Sequence, residues 1–289
     1  MSKINIGIIG VGIMGRGIVK NLQKNNISLS LYSRNINKIK DLETNNTKIY
    51  DSTEKIISDS SHIIFCLTED KIVLEYYNKI KDNFKGYLLD FGTTSPELTQ
   101  HINSDYRKRG NIFLDSPMTG SKLASETGNI IFMVGHENED EINACRFIWN
   151  ATGKKIIPCP GVGNGQKVKI CLNMVQAEIL QSYMEGMVLA EKLGVSENIF
   201  LDVIENSAAR SGISDFKLKC IQEKNYSPNF SLKNMNKDLN HALDLILEMN
   251  ISLPQAMSLK TIYSQGITSN LGEEDFSSLI KVNRSLNNL

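Results

Sequence analysis

Residues 4–15 read Ile4-Asn5-Ile6-Gly7-Ile8-Ile9-Gly10-Val11-Gly12-Ile13-Met14-Gly15. The apolar run over 4–10 predicts a short buried strand. The turn that follows is Gly10-x-Gly12-x-x-Gly15, and helical spacing continues through Lys24. Strand, glycine turn and helix in this order form the fingerprint of a dinucleotide-binding unit. Gly10 allows the tight turn, Gly12 lets a pyrophosphate approach the backbone, and Gly15 lets helix and strand pack closely. Val11, Ile13 and Met14 complete the turn and count with the cofactor-binding residues. The helix N-terminus supplies free N–H groups and partial positive charge for the phosphates. The competing reading is a purely structural glycine turn.

The next strand reads Ile27-Ser-Leu-Ser-Leu-Tyr32 and ends in Ser33-Arg34. A site for NAD would place an acid about 20 residues past the fingerprint, on the ribose 2′-hydroxyl. Ser33 and Arg34 stand there instead. A guanidinium binds a 2′-phosphate through charge-assisted hydrogen bonds, and a carboxylate would repel it. The expected cofactor is NADP(H) in preference to NAD(H).

Further strand-like runs occur at 47–50, 62–67, 87–91, 112–114, 130–134 and 155–157, with helical patterns at 71–81, 96–109 and 139–150. Alternation of this kind predicts an α/β unit with a doubly wound, mainly parallel sheet, the Rossmann arrangement. Loops at the carboxyl ends of such strands line the ligand crevice. Leu67, Thr68 and Thr93 are therefore candidate cofactor contacts. Capping of the helix that starts at Pro96 falls more naturally to Ser95, because proline favours the first helical position. After the strand ending at Leu114 comes Asp115-Ser-Pro-Met-Thr-Gly-Ser-Lys122. Its hydroxyls and glycine suit a carboxylate, and equally an ordinary strand–helix loop.

Gly161-Val-Gly-Asn-Gly-Gln-Lys-Val-Lys-Ile-Cys-Leu-Asn173 opens a long helical run reaching about Leu193. Lys169 and Asn173 stand one turn apart on one face, as a proton donor and its orienting partner would. Lys167 lies roughly 200° round the helix from Lys169 and points elsewhere. The bland alternative is a solvated basic helix start. Beyond Gly165 no strand alternation recurs, and helices are expected at 166–193, 196–207, 211–223, 232–249, 254–270 and 274–285. The expected domains are residues 1–163, binding the nucleotide, and 164–289, all-helical.

The chain has 289 residues, and Lys+Arg and Asp+Glu both number 32, so its formal charge is zero. Neither nucleic acid nor an anionic membrane is called for. Five scattered cysteines without a CxxC pair fit reduced thiols in a cytoplasmic protein. Four widely spaced histidines show no metal-ligand pattern. No run approaches ~18 apolar residues, and the N-terminal run lacks a signal-peptide cleavage region.

Four ordered motifs resemble the β-hydroxyacid dehydrogenase family, which includes 3-hydroxyisobutyrate dehydrogenase, tartronate semialdehyde reductase and glyoxylate/succinic semialdehyde reductase. They are Gly7–Gly15 with Asn21-Leu22, Asp115–Ser121, Val162–Met174 and Phe230–Asp238. The pattern around both lysines is most like that of the glyoxylate/succinic semialdehyde reductases. The resemblance implies that Lys169 is the catalytic lysine and Asn173 the asparagine beside it. It puts Thr119, Gly120 and Ser121 on the substrate carboxylate, Thr93 and Lys237 on NADP(H), and Phe230 and Asp238 around the substrate; separately, the expected proton-transfer chemistry pairs Asp238 with Lys169. It also implies a homodimer or homotetramer and a small carboxylic acid substrate.

Several positions depart from the family pattern. Met118-Thr119 replaces Val-Ser, Leu172 replaces the first residue of an Asn-Asn pair, and Ser207–Gly212 is unlike the semialdehyde reductases. Arg210 in that last segment is either a second carboxylate anchor or a surface residue. The expected reaction is hydride transfer between NADPH and an aldehyde or keto acid. The rival readings are a 3-hydroxyisobutyrate or tartronate semialdehyde-type dehydrogenase, an imine reductase, and a non-catalytic NADP-binding protein.

Overall fold

In the computed structural model, which describes residues 4–289, the N-terminal run forms β1 (Asn5–Ile9), and α1 (Ile13–Lys24) follows the glycine turn. The chain continues through β2 (Ser28–Tyr32), β3 (Thr47–Tyr50), α2 (Thr53–Asp59), β4 (His62–Phe65), α3 (Asp70–Ile80), β5 (Tyr87–Asp90), α4 (Pro96–Lys108) and β6 (Ile112–Asp115). Next come β7 (Met118–Thr119), α5 (Lys122–Glu126), β8 (Ile130–His136), α6 (Glu139–Thr152) and β9 (Gly153–Pro160). These strands form one sheet ordered β3-β2-β1-β4-β5-β6-β8-β7, with β9 beside β8. From β3 to β6 all pairings are parallel; β8 runs antiparallel to β6 and β7 and parallel to β9.

Buried parallel strands read as continuous apolar runs because both faces are covered. In β4, Ile63 and Phe65 face one core and Ile64 the other, as the two-residue repeat of a strand requires. One core gathers Ile18, Val19 and Leu22 of α1 with Ile142 and Trp149 of α6. The opposite core gathers Val73 and Tyr77 of α3 with Ile102 and Tyr106 of α4. Strand order reverses between β1 and β4, and ligands bind outside the carboxyl ends of the strands at such a switch point.

The chain divides into two compact units, one running to Lys169 and the other from Ile170 to Leu289. The division falls inside α7 (Asn164–Lys192), a continuous helix. The second unit continues with α8 (Glu197–Glu205), α9 (Gly212–Gln222), α10 (Leu232–Glu248), α11 (Pro254–Thr268) and α12 (Ile280–Leu286). Leu232, Met235, Leu239, Leu243 and Ile246 form the buried stripe of α10, spaced three and four apart. They pack with Ala177, Leu180, Met184 and Met187 of α7.

The expected helix at 274–285 is split. Phe276–Leu279 is a 3-10 turn capped by Asp275, and α12 follows it. Helix α2 and the β7–α5 pair were not foreseen. Each offers too few residues for an apolar period to declare itself; in α2 only Thr53 and Ile56 are buried. Strand β9 extends beyond the expected 155–157 because its outer residues alternate weakly and are held by pairing with β8.

Candidate active site

The fingerprint glycines take three distinct roles. Gly10 has φ +99, and a Cβ there would lie 2.5 Å from the Cys66 carbonyl oxygen. A Cβ on Gly15 would collide with the Gly10 carbonyl oxygen, so α1 and β1 approach more closely than any side chain permits. At Gly12 a Cβ would meet nothing within 4 Å. Gly12 is also the N-cap of α1 and makes no side-chain cap. Open space over uncapped helix N–H groups is what a pyrophosphate requires. Within the turn Val11 is buried, Met14 half-buried and Ile13 exposed.

The other candidate cofactor residues of this unit follow the carboxyl ends of neighbouring strands. Ser33 (half-buried) and Arg34 (exposed) follow β2, Leu67 and Thr68 follow β4, and Thr93 follows β5. Ser33 Oγ accepts from the Asn35 amide at 3.4 Å. Ser95 caps α4 by accepting from Leu98 N, and Pro96 takes the first helical position. Lys237 lies on α10 in the second unit, with its Nζ 2.7 Å from Asp238 Oδ1.

Thr119 pairs with Ile131 across β7 and β8, Gly120 is exposed, and Ser121 caps α5 by accepting from Ala124 N. Asn21 of α1 donates to the Ser125 carbonyl at 2.6 Å. The segment expected to hold a carboxylate is thereby tied to the fingerprint helix.

Lys169 is 7% exposed. The helix start that carries it is held by groups the sequence did not single out. Asp115, fully buried at the end of β6, accepts from Gly163 N at 2.7 Å and Gln166 N at 2.8 Å. The Gln166 side chain accepts from Thr94 N at 3.1 Å and donates to Gly92 O at 3.1 Å. Thr94 Oγ1 donates to Asp90 Oδ2 at 2.6 Å, and Asp90 also accepts from Gly92 N. Asp90 and Asp115 are register partners on adjacent strands. Burial pushes the Asp115 carboxyl up to about 6, against the pull of the two amides it accepts from, and the charge on Asp90 adds to the rise. The available signal was an acid closing each of two apolar strands, Tyr87-Leu-Leu-Asp90 and Ile112-Phe-Leu-Asp115.

In the second unit Asn173 and Asp238 are each 1% exposed. Asn173 donates its amide to Asp238 Oδ2 at 2.6 Å. A carboxylate only accepts, so this contact fixes which end of the amide faces Asp238. Phe230 N donates to Asp275 Oδ2 at 3.1 Å, and its ring meets Phe276 edge-on. Lys167 is exposed and donates to Asn164. Arg210 is exposed and paired with Asp215 at 2.9 Å. Among the described residues no cluster of metal-ligating side chains occurs, and no helix is long and apolar enough to cross a membrane.

A doubly wound sheet, an open phosphate turn and a helical second unit define an NAD(P)-dependent oxidoreductase acting on CH–OH groups. Residues 5–161 match the NAD-binding domain of 6-phosphogluconate dehydrogenase, and residues 163–283 match the NAD-binding domain of NADP-dependent 3-hydroxyisobutyrate dehydrogenase. The chain belongs to the β-hydroxyacid dehydrogenase family, in the group related to 3-hydroxyisobutyrate dehydrogenase.

It is 28% identical to glyoxylate/succinic semialdehyde reductase 1 of Arabidopsis thaliana, over 96% of this chain and 98% of that one. It is equally 28% identical to the mitochondrial 3-hydroxyisobutyrate dehydrogenase of Homo sapiens, over 97% and 87%. The fold is shared with Mycobacterium tuberculosis 3-hydroxyisobutyrate dehydrogenase, solved with L-serine. There the TM-score is 0.88 at 24% identity, covering 97% of this chain and 99% of that one.

Proposed function

We propose that the chain reduces a small aldehyde or keto carboxylic acid of the glyoxylate or succinic semialdehyde type to the hydroxy acid, with NADPH. The observation that carries this reading is the buried Lys169, in the second turn of a helix whose start is fastened to the carboxyl edge of the nucleotide-binding sheet. When bound, the nicotinamide nucleotide supplies a hydride for the carbonyl carbon. Lys169 then has two tasks at the carbonyl oxygen: its charge stabilises the developing alkoxide, and its Nζ proton completes the alcohol. The neutral amine left behind recovers a proton from water. In the oxidative direction the same amine takes the hydroxyl proton.

Asn173, one turn on, orients the oxygen or the lysine, and its own amide is held by Asp238. Thr119, Gly120 and Ser121 receive the substrate carboxylate, and Phe230 and Asp238 are the substrate-binding candidates of the second unit. Ser121 Oγ accepts from Ala124 N in capping α5, which leaves its O–H free to donate to the carboxylate beside Thr119 and the Gly120 amide. The α1 N-terminus holds the pyrophosphate, flanked by Leu67, Thr68 and Thr93. Arg34 and Ser33 take the 2′-phosphate, a reading supported by the NADP-dependent family matched by residues 163–283. Lys237 contributes a further charge to the nucleotide. The working form is a homodimer or homotetramer.

Lys169→Met tests the proposal. Turnover of glyoxylate and succinic semialdehyde should fall at least about a thousandfold, as loss of a general acid implies. NADPH binding, followed by fluorescence, should persist. Unchanged turnover would remove Lys169 from the mechanism. A dehydrogenase of the 3-hydroxyisobutyrate type remains the second reading, because relatives of both kinds stand at 28% identity.

A further inference from the structure

Helix α7 (Asn164–Lys192) is preceded by two glycines and a valine. The residues before its first position, Gly161-Val162-Gly163, carry no side chain able to accept a hydrogen bond. Free N–H groups at a helix start require acceptors, normally a local Ser, Thr, Asp or Asn. Here the acceptor comes from another strand. Asp115 takes the Gly163 and Gln166 amides, one on each carboxylate oxygen. A Cβ on Gly165 would come within 2.7 Å of Asp115 Oδ2, and one on Gly135 would overlap the same carboxylate. Both positions leave room for it. The Gln166 side chain adds a second tether, to Thr94 N and Gly92 O in the loop after β5.

We infer that Asp115 is a positioning residue for Lys169: by capping α7 from β6 it sets the rotation and height of the turn that carries the lysine. This rests on the reading of Lys169 as the proton donor. Gln166 and Lys169 are three residues apart on neighbouring turns, so a twist or slip at the cap moves the lysine directly. Misplacing a reacting group by about 1 Å costs on the order of a hundredfold in rate. The cap also neutralises the positive end of the helix. The substrate carboxylate must therefore find its donors elsewhere.

The test uses Asp115→Asn in the full chain, with glyoxylate as substrate and active sites counted by NADPH titration. Asparagine keeps one acceptor and turns the other into a donor that faces an amide. The kcat per NADPH-binding site should fall about 10- to 100-fold, with KM and the NADPH Kd within about threefold. The deuterium isotope effect from 4-deuterated NADPH should rise as the chemical step becomes limiting. A lower melting temperature with unchanged kcat per site and unchanged isotope effect would overturn the inference.

Should Asp115→Asn not fold, Asp115→Ser keeps a single hydroxyl oxygen in place of the two carboxylate acceptors. A loss of kcat per site supports the inference, and none overturns it. If Lys169→Met keeps full turnover, the functional reading itself fails. If Lys169→Met is inactive while Asp115→Asn is unaffected, only the positioning role fails.

Discussion

Asn173 donates its side-chain amide to Asp238 at 2.6 Å, and both groups are almost wholly buried. The expected proton-transfer chemistry pairs Asp238 with Lys169. Within its own unit the carboxylate is already engaged by Asn173 and lies 2.7 Å from Lys237 Nζ. Asp238→Ala leaves the buried Asn173 amide without this acceptor, at a cost of about 1–3 kcal/mol. Thermal unfolding should register that loss. Turnover should fall about tenfold or more as the asparagine reorients, and a fully active variant would show that Asn173 needs no such anchor.

Arg34 is exposed just past β2, where the nucleotide ribose is expected. Arg34→Asp should weaken NADPH about 10- to 100-fold, since a hydrogen bond to a charged group is worth about 1.5–3 kcal/mol. NADH binding should be spared or improved. Preference for NADH in the unaltered protein would refute the assignment.

Gly12 and Gly15 should separate binding from folding. Gly12→Ala meets no protein atom within 4 Å, so its melting temperature should hardly move, while NADPH affinity falls about tenfold as the methyl enters the phosphate space. Gly15→Ala strikes the Gly10 carbonyl, so its melting temperature should drop before any nucleotide is added. Saturating NADPH raises stability by about 2.7 kcal/mol at a hundred times Kd. That increment should shrink in Gly12→Ala.

His62 gives the protein a sign-defined response to acid. Its ring stacks on Tyr87 at 4.9 Å and accompanies the Ser61 hydroxyl, and burial lowers its pKa to about 4. The unfolded chain binds the proton near pH 6.5, well before the folded one does. His62 therefore costs stability progressively as pH falls from about 6.5 to about 4, by about 3 kcal/mol at the end of that window. Asp115, raised to about 6, works in the opposite sense, because its folded form takes up a proton before the unfolded form does. His62→Phe keeps the ring and removes the charge. Its acid-unfolding midpoint should move to lower pH; an unmoved midpoint would mean another group controls acid denaturation.

Lys217 and Asp275 form a buried ion pair at 2.8 Å in the second unit, and Asp275 also accepts from the Asn229, Phe230 and Ser277 amides. Lys217→Met should cost about 3–5 kcal/mol by leaving that carboxylate without its cation. Loss of its melting temperature should exceed that of Lys281→Met, which breaks the more exposed pair with Glu274.

Much of this protein is written locally. The β1–α1 unit follows from a run of isoleucines and three spaced glycines, since a buried strand and a tight phosphate turn each need particular residues at fixed spacing. The change from strand alternation to helical periodicity after Gly165 likewise marks where the sheet ends. Lys169 and Asn173 share a face because four residues make about one turn. Tertiary structure alone decided what holds them. Asp115 meets Gly163 and Gln166 from 48 and 51 residues away, and Asn173 meets Asp238 from 65. Periodicity reports which face of an element is apolar. It says nothing about which buried polar groups converge, because strand order and helix packing bring those together only when the chain has folded.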